Sequence, residues 1–145
     1  RNDSSSSGKW RGGIGSIREV TFLEDSFISI EGDGHAFKPW GYAGGKRGKP
    51  AKVVLHKNDT TKIALPSMMP NRAVQAGESI TLTGTCGGGY GNPLQRNPQQ
   101  VKSDIADGFV STNTAKKEYG VILNKDGDVD ITATEKVRKK LQLKN

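Results

Sequence analysis

"ESITLTGTCGGGYGNPLQRNP", residues 78–98, is the stretch on which the fold turns. Its first part alternates. Ile80 and Leu82 point one way and Ser79, Thr81 and Thr83 the other, which is the period of a half-buried strand. Its last residues, Asn97 and Pro98, are a helix start: a capping side chain followed by proline at the first helical position. Between them stand Cys86, the run Gly87-Gly88-Gly89, and Gly91 after Tyr90. The chain is therefore expected to be α+β, with a β-rich N-terminal part of short antiparallel strands over 9–86, a glycine loop over 87–93 and a small helical tail over 97–143. Residues 9–145 make a single domain, and the polar residues 1–8 read as a flexible linker.

Working outward, "REVTFLED" and "SFISIEGDG" alternate about Glu24-Asp25-Ser26 and are expected to form a hairpin. "KVVLHK" (52–57) and "TKIALP" (61–66) are short strands around an Asn58-Asp59 turn. Downstream, "NPQQVKSDIADG" has Val101 and Ile105 four residues apart and Gly108 as its stop, and "STNTAKKEYG" repeats that grammar with a hydroxyl cap and Gly120. A last helix starts at a capping box of Thr132 and Glu135, with Ala133, Val137 and Leu141 along one face.

Composition narrows the class. Only 32% of 145 residues are hydrophobic while 19 are glycine, so part of the apolar surface is expected to be completed by something outside this chain. A net charge of +7 favours nucleic acid, phosphate-bearing ligands or an acidic partner. One cysteine excludes an internal disulfide, and no apolar run reaches the roughly 20 residues of a membrane span. The start, "RNDSSSSGKW", has no Met and no hydrophobic signal region, and reads as a piece of a longer, cytoplasmic protein.

The glycine run fails the grammar of phosphate loops. A Walker loop needs Lys and then Ser or Thr after its last glycine, but Gly91 is followed by Asn92-Pro93. The dinucleotide spacing misses at Asn92, and "GIGSIR" misses at Arg18. Cys86 would serve as a nucleophile only beside His35 or His56, the two histidines. Neither a zinc spacing nor the sharp-turn glycine of a calcium loop in "NKDGDVDITATE" is present. The basic segment Lys38–Lys62, with Trp40 and Tyr42 interleaved, has the composition of a single-strand nucleic-acid groove, and a basic β-rich nucleic-acid module is the competing reading. A pure assembly module is the third.

Taken in order, "KWRGGIGSIREVTFLED", "GDGHAFKPWGYAGG", "GTCGGGYGNPLQRNP" and "VKSDIADGFVSTNTAKKEYGVIL" resemble the C-terminal region of hydantoinase B proteins, relatives of ATP-dependent 5-oxoprolinase and of a ketone carboxylase branch. The resemblance spans about residues 8–140. It implies part of an enzyme that opens cyclic amides at the expense of ATP. ATP with a divalent cation is expected on a partner A-type subunit, whose phosphorylation of the carbonyl oxygen creates a leaving group. The implied partners are the remainder of the B-type chain and that A-type subunit. No metal is assigned to this chain and no catalytic residue is named. The residues at the edge of an active site would be Arg11, Gly12, Gly13, His35, Trp40, Gly44, Gly45, Gly87, Gly88, Gly89 and Tyr90. Arg11 would hold a substrate carboxylate or tie a loop to the backbone. His35 would orient or exchange a proton, or sit as a satisfied buried imidazole. One departure is Gly34, where the family often carries a charge. A ketone carboxylase fragment is the alternative within the family.

Overall fold

The computed structural model describes residues 1–143. Its strands are β1 (Ile17–Thr21), β2 (Ser26–Glu31), β3 (Lys52–His56), β4 (Lys62–Leu65), β5 (Met68–Val74) and β6 (Ser79–Thr83). A four-stranded sheet runs β1-β6-β3-β4, and β2 pairs with β5 alone. All pairings are antiparallel. The α+β expectation holds, and β6 is the hub: its Ile80 lies opposite Val20 on one side and Leu55 on the other. Val53, Leu55, Leu65, Val74 and Ile80 form the buried core, with Ile28, Ile30 and Met69 of the smaller sheet packed onto it. The alternation of short strands produces this directly, because one face of each goes inward.

β1 and β2 are not the expected hairpin. They belong to different sheets, and the link between them carries the chain from one layer to the other. β2 takes its partner from β5, a strand that Pro70 hides from a propensity reading. There the pairing breaks register between Ile28 and Ile30, and Asn71 has a positive φ of 43°.

A third layer has neither strands nor a side-chain core. Extended segments over 3–16, 38–51 and 84–92 lie against one another through backbone hydrogen bonds. Gly12 N–H donates to Ser6, Lys46 to Ser7, Gly87 to Gly13, Gly89 to Lys46, Gly48 to Pro39 and Cys86 to Lys49. At Gly8, Gly12, Gly15, Gly41, Gly45, Gly48, Gly88 and Gly89 a β-carbon would stand 1.7–2.6 Å from a backbone carbonyl oxygen. Only glycine permits so close an approach, the logic that places it on the crowded axis of collagen. The expected linker is part of this layer. Ser4 to Ser7 are buried, since serine is small enough to sit among glycines while its backbone bonds to theirs.

The tail packs on the far side. A 3-10 turn (Pro93–Gln95) leads into α1 (Pro98–Ala106), capped by Asn97 as read from sequence. α2 (Thr112–Thr114) runs into a π-helical turn (Ala115–Tyr119) that Gly120 ends in the left-handed region. α3 (Ile131–Gln142) is capped by Asp130, whose carboxylate accepts from Ala133 N–H, and not by Thr132. Val101, Val110, Ala115, Tyr119 and Val121 make a second core. No described helix is long and apolar enough to cross a membrane.

Candidate functional site

The glycines singled out from sequence converge, but on one another. Gly12 abuts the Gly87 carbonyl, Gly45 abuts Gly89, and Gly88 abuts the Trp40 carbonyl. Gly13 accepts from the Gly87 amide and has open space where a β-carbon would go. Gly44 lies at the layer's edge with a φ of 94°, next to Ala43 at 50°. Trp10 and Tyr42 both bridge to Tyr90, and the Tyr42 and Tyr90 rings stand 5.9 Å apart. These three rings and Trp40 are exposed. Trp10, Tyr42 and Tyr90 thus form an exposed aromatic group. Beside it a cleft of about 660 Å³ is lined by Ala43, Gly44, Lys46, Asn92, Lys117 and Glu118, among others. Burial raises the Glu118 carboxyl above its ordinary range, although Lys46 works against the shift.

This layer does not fit a nucleotide. A phosphate cradle needs backbone N–H groups that converge on empty space. Here the amides of Gly45, Gly48, Gly87, Gly89 and Gly91 each donate to a carbonyl within the layer. The space a phosphate would occupy is filled by neighbouring backbone.

Arg11 is engaged by the protein's own carboxylate. Its Nε donates to Asp104 Oδ1 at 2.7 Å, and its guanidinium lies 4.4 Å from the centre of the Phe109 ring. Arg96 takes the other oxygen of Asp104 from Nε and Nη2, both at 2.9 Å, and donates from Nη1 to the Lys9 carbonyl. Arg138 on α3 then donates to the carbonyls of Arg96 and Tyr119. This clamp ties the glycine layer to α1 and α3. Asp104 and Arg96 escaped the sequence reading. The available signal was an acid on the same helical stripe as Val101 and Ile105, since a buried carboxylate demands a cation.

His35 stands apart from the clamp. It lines a cleft of about 440 Å³ between the sheets, with Arg18, Glu31, Asp33, Leu82 and Thr85 among its neighbours. Neither ring nitrogen has a hydrogen-bond partner among the described residues. Gly34 beside it has a φ of 76°, and a β-carbon there would meet Thr85 Cγ2 at 2.3 Å. The departure from the family pattern at Gly34 is therefore a backbone requirement in this chain. His56 is bound to Thr81 Oγ1 at 2.8 Å on the outer side of the large sheet.

Cys86 is fully buried within the glycine layer and accepts from Gly15 N–H at 3.3 Å. Its burial raises the thiol pKa. The Ser4 hydroxyl, the Gly15 amide and the charges of Arg1 and Lys49 outweigh that and bring it below the ordinary value. Deep burial, not reactivity, is its environment. Tyr119 is likewise enclosed, and burial pushes its hydroxyl up to about 12.

Comparison with known proteins follows this geometry. The profile of the family described as Hydantoinase B/oxoprolinase matches residues 1–93. The B-type component of the "Putative D-/L-hydantoinase" of Pseudomonas sp. (strain NS671) is 48% identical over 96% of this chain and 24% of its own length. The beta component of caprolactamase from Pseudomonas jessenii is 30% identical over 91% of the chain and 23% of its own. Among solved structures, the ATP-dependent caprolactamase from Pseudomonas jessenii superposes with a TM-score of 0.75 and 28% identity, over 95% of this chain and 24% of that one. A nucleotide-free acetone carboxylase shares the fold with a TM-score of 0.73 at 24% identity, over 99% and 24%. The chain spans about a quarter of the length of these relatives.

Proposed function

The chain belongs to the Hydantoinase B/oxoprolinase family, and on that premise we propose that it is the C-terminal part of the B-type subunit of a cytoplasmic, ATP-dependent hydrolase of cyclic amides. The observation that carries this reading is the 48% identity to the B-type component of a hydantoinase across nearly the whole chain. ATP and its divalent cation act on an A-type partner. The filled glycine layer supports that placement, because the amides of Gly45, Gly48, Gly87, Gly89 and Gly91 are already bonded to its own carbonyls.

The contribution of this chain is a rigid platform at the edge of the active site. Arg11 is a positioning residue: bonded to Asp104, it holds the segment that leads into the glycine layer. His35 is the residue to test against substrate, because both of its ring nitrogens are buried without a hydrogen-bond partner among the described residues, behind the wall of a cleft, and would become available only if the wall shifts.

The test is reconstitution. Alone, the chain should not turn over hydantoin, 5-oxoproline or caprolactam with ATP. Joined to the rest of a B-type chain and an A-type subunit, it should support ATP-dependent ring opening. Turnover by the isolated chain would overturn the reading, and ATP-dependent carboxylation of acetone without ring opening would move it to the ketone carboxylase branch.

A further inference from the structure

We propose that the free edge of β1 receives a strand from the remaining three-quarters of the B-type chain, so that the four-stranded sheet continues into the rest of the subunit; this rests on the reading just given. The first support is a contrast among the sheet edges. Natural edges are blunted by short length, lysine, proline or a bulge. β4, the opposite edge of the large sheet, is four residues long, begins with Lys62 and is followed by Pro66. The two-stranded sheet has its register break in β2 and Pro70 in β5. β1, five residues long, has no lysine, proline or bulge, and its charges are Arg18 and Glu19, one on each face. It pairs with β6 in unbroken register from Ile17 to Thr21.

The second support is its side chains. Every residue of β1 is exposed, on both faces of the sheet. Ile17 is 57% exposed on one face and Val20 47% on the other. Val20 lies opposite Ile80, which is in the core, so the core side of the sheet is uncovered at this strand. Each face of β1 thus offers one uncovered apolar side chain, Ile17 or Val20, beside a charged one, Glu19 or Arg18.

The third is the backbone. Phe22 N–H donates to Glu78 and Gly84 N–H to Ser16, which places the bonds to β6 at the even-numbered residues of β1. The amides and carbonyls of Ile17, Glu19 and Thr21 therefore face outward, open to an added strand.

A second copy is a poorer occupant. Two-fold pairing of β1 with itself must keep each residue opposite one on the same face. Full overlap then sets Glu19 against Glu19, and a shift one way sets Arg18 against Arg18, both like-charge pairs; the shift the other way sets Val20 against Val20 and overlaps only Glu19 to Thr21. The relatives supply the occupant instead, since about three-quarters of their length lies outside the matched part.

The experiment is amide hydrogen exchange at Ile17, Glu19 and Thr21. It compares the isolated chain with a chimera in which this chain replaces the matched quarter of the Pseudomonas hydantoinase relative. Exchange should be fast in the isolated chain and at least about tenfold slower in the chimera. Equal rates would overturn the proposal, as would a dimer of the isolated chain with these amides already protected. Glu19→Pro removes an outward N–H without touching the ladder to β6, so the isolated variant should fold while the chimera loses protection at Ile17 and Thr21. Should that variant not fold, Ile17→Lys with Val20→Lys asks the same question through the side chains. Should the chimera not assemble, the intact relative is measured at the aligned positions, where fast exchange sinks the idea. Protection without ATP-dependent ring opening would sink the proposed function and leave strand addition standing; ring opening without protection would do the reverse.

Discussion

The strand sandwich and the glycine layer are both buried, and they are buried by opposite means. In the sandwich, side chains such as Leu55 and Ile80 fill the space between sheets. In the glycine layer, the absence of side chains lets backbone meet backbone. The first kind of core tolerates changes of shape with graded loss, because neighbouring side chains can shift. The second has only carbonyls and amides to move, and many are already hydrogen-bonded, those of Gly12, Gly45, Gly48, Gly87, Gly89 and Gly91 among the amides. The difference should show in mutants. Gly88→Ala would place a β-carbon 1.7 Å from the Trp40 carbonyl oxygen, and the variant is expected not to fold, read as loss of the cooperative thermal transition. Gly13→Ala, in the same layer but with nothing within 4 Å, should stay within about 0.5 kcal/mol of the parent. A folded Gly88→Ala variant of parental stability would show that the layer is loose.

The joint between the two regions and the tail comes next. Asp104→Ala would leave Arg11 and Arg96 facing each other without their shared carboxylate, and loss of one partner from a buried pair costs about 3–5 kcal/mol. Denaturant unfolding measures it. Leu55→Ala in the sandwich should cost about 2–5 kcal/mol, the ordinary range for a buried leucine. If Asp104→Ala proved nearly silent while Leu55→Ala did not, the clamp would be ornamental and the tail would be held by its apolar core alone.

The same contrast explains what could be read in advance. "ESITLTG" and "KVVLHK" reveal themselves because an apolar face repeats every two residues, a purely local signal. Asn97-Pro98 reveals α1 for the same reason: cap and helix are adjacent. The glycine layer gives no such signal. Its period is set by which carbonyl a distant segment brings near, as when Gly12 meets Gly87 or Gly45 meets Gly89. Several of the glycines named from sequence abut one another, through contacts that sequence spacing does not contain. Ser4 to Ser7 look like linker for the same reason, small polar residues being the composition of both a mobile end and a backbone-packed layer. The partner of Arg11 lies 93 positions away. β1 and β2 failed as a hairpin because alternation names strands, not their partners.

A smaller loss than those at Asp104 and Leu55 concerns how the N-terminal segment is fastened to the tail. Asp3 accepts from Ser111 N–H at 2.7 Å and from the Thr114 hydroxyl at 3.3 Å, while Lys49 Nζ donates to its carbonyl. Burial by itself raises the Asp3 carboxyl, but the bonds from Ser111 and Thr114 and the charge of Lys49 outweigh it and hold it below 3.8. A carboxylate lowered on folding adds stability above its unfolded value, and that stability is lost as pH falls through the folded value. Acidification from neutral should therefore loosen this fastening only below about pH 4, with no effect of Asp3 on raising the pH. Asp3→Asn keeps one acceptor and loses the charge, so it should cost about 1 kcal/mol at neutral pH and flatten the acid limb of the stability curve. Parallel pH titrations of unfolding for the two proteins make the comparison. Curves that stay parallel through the acid limb would assign the N-terminal fastening to the glycine-layer hydrogen bonds of Ser6 and Ser7 instead.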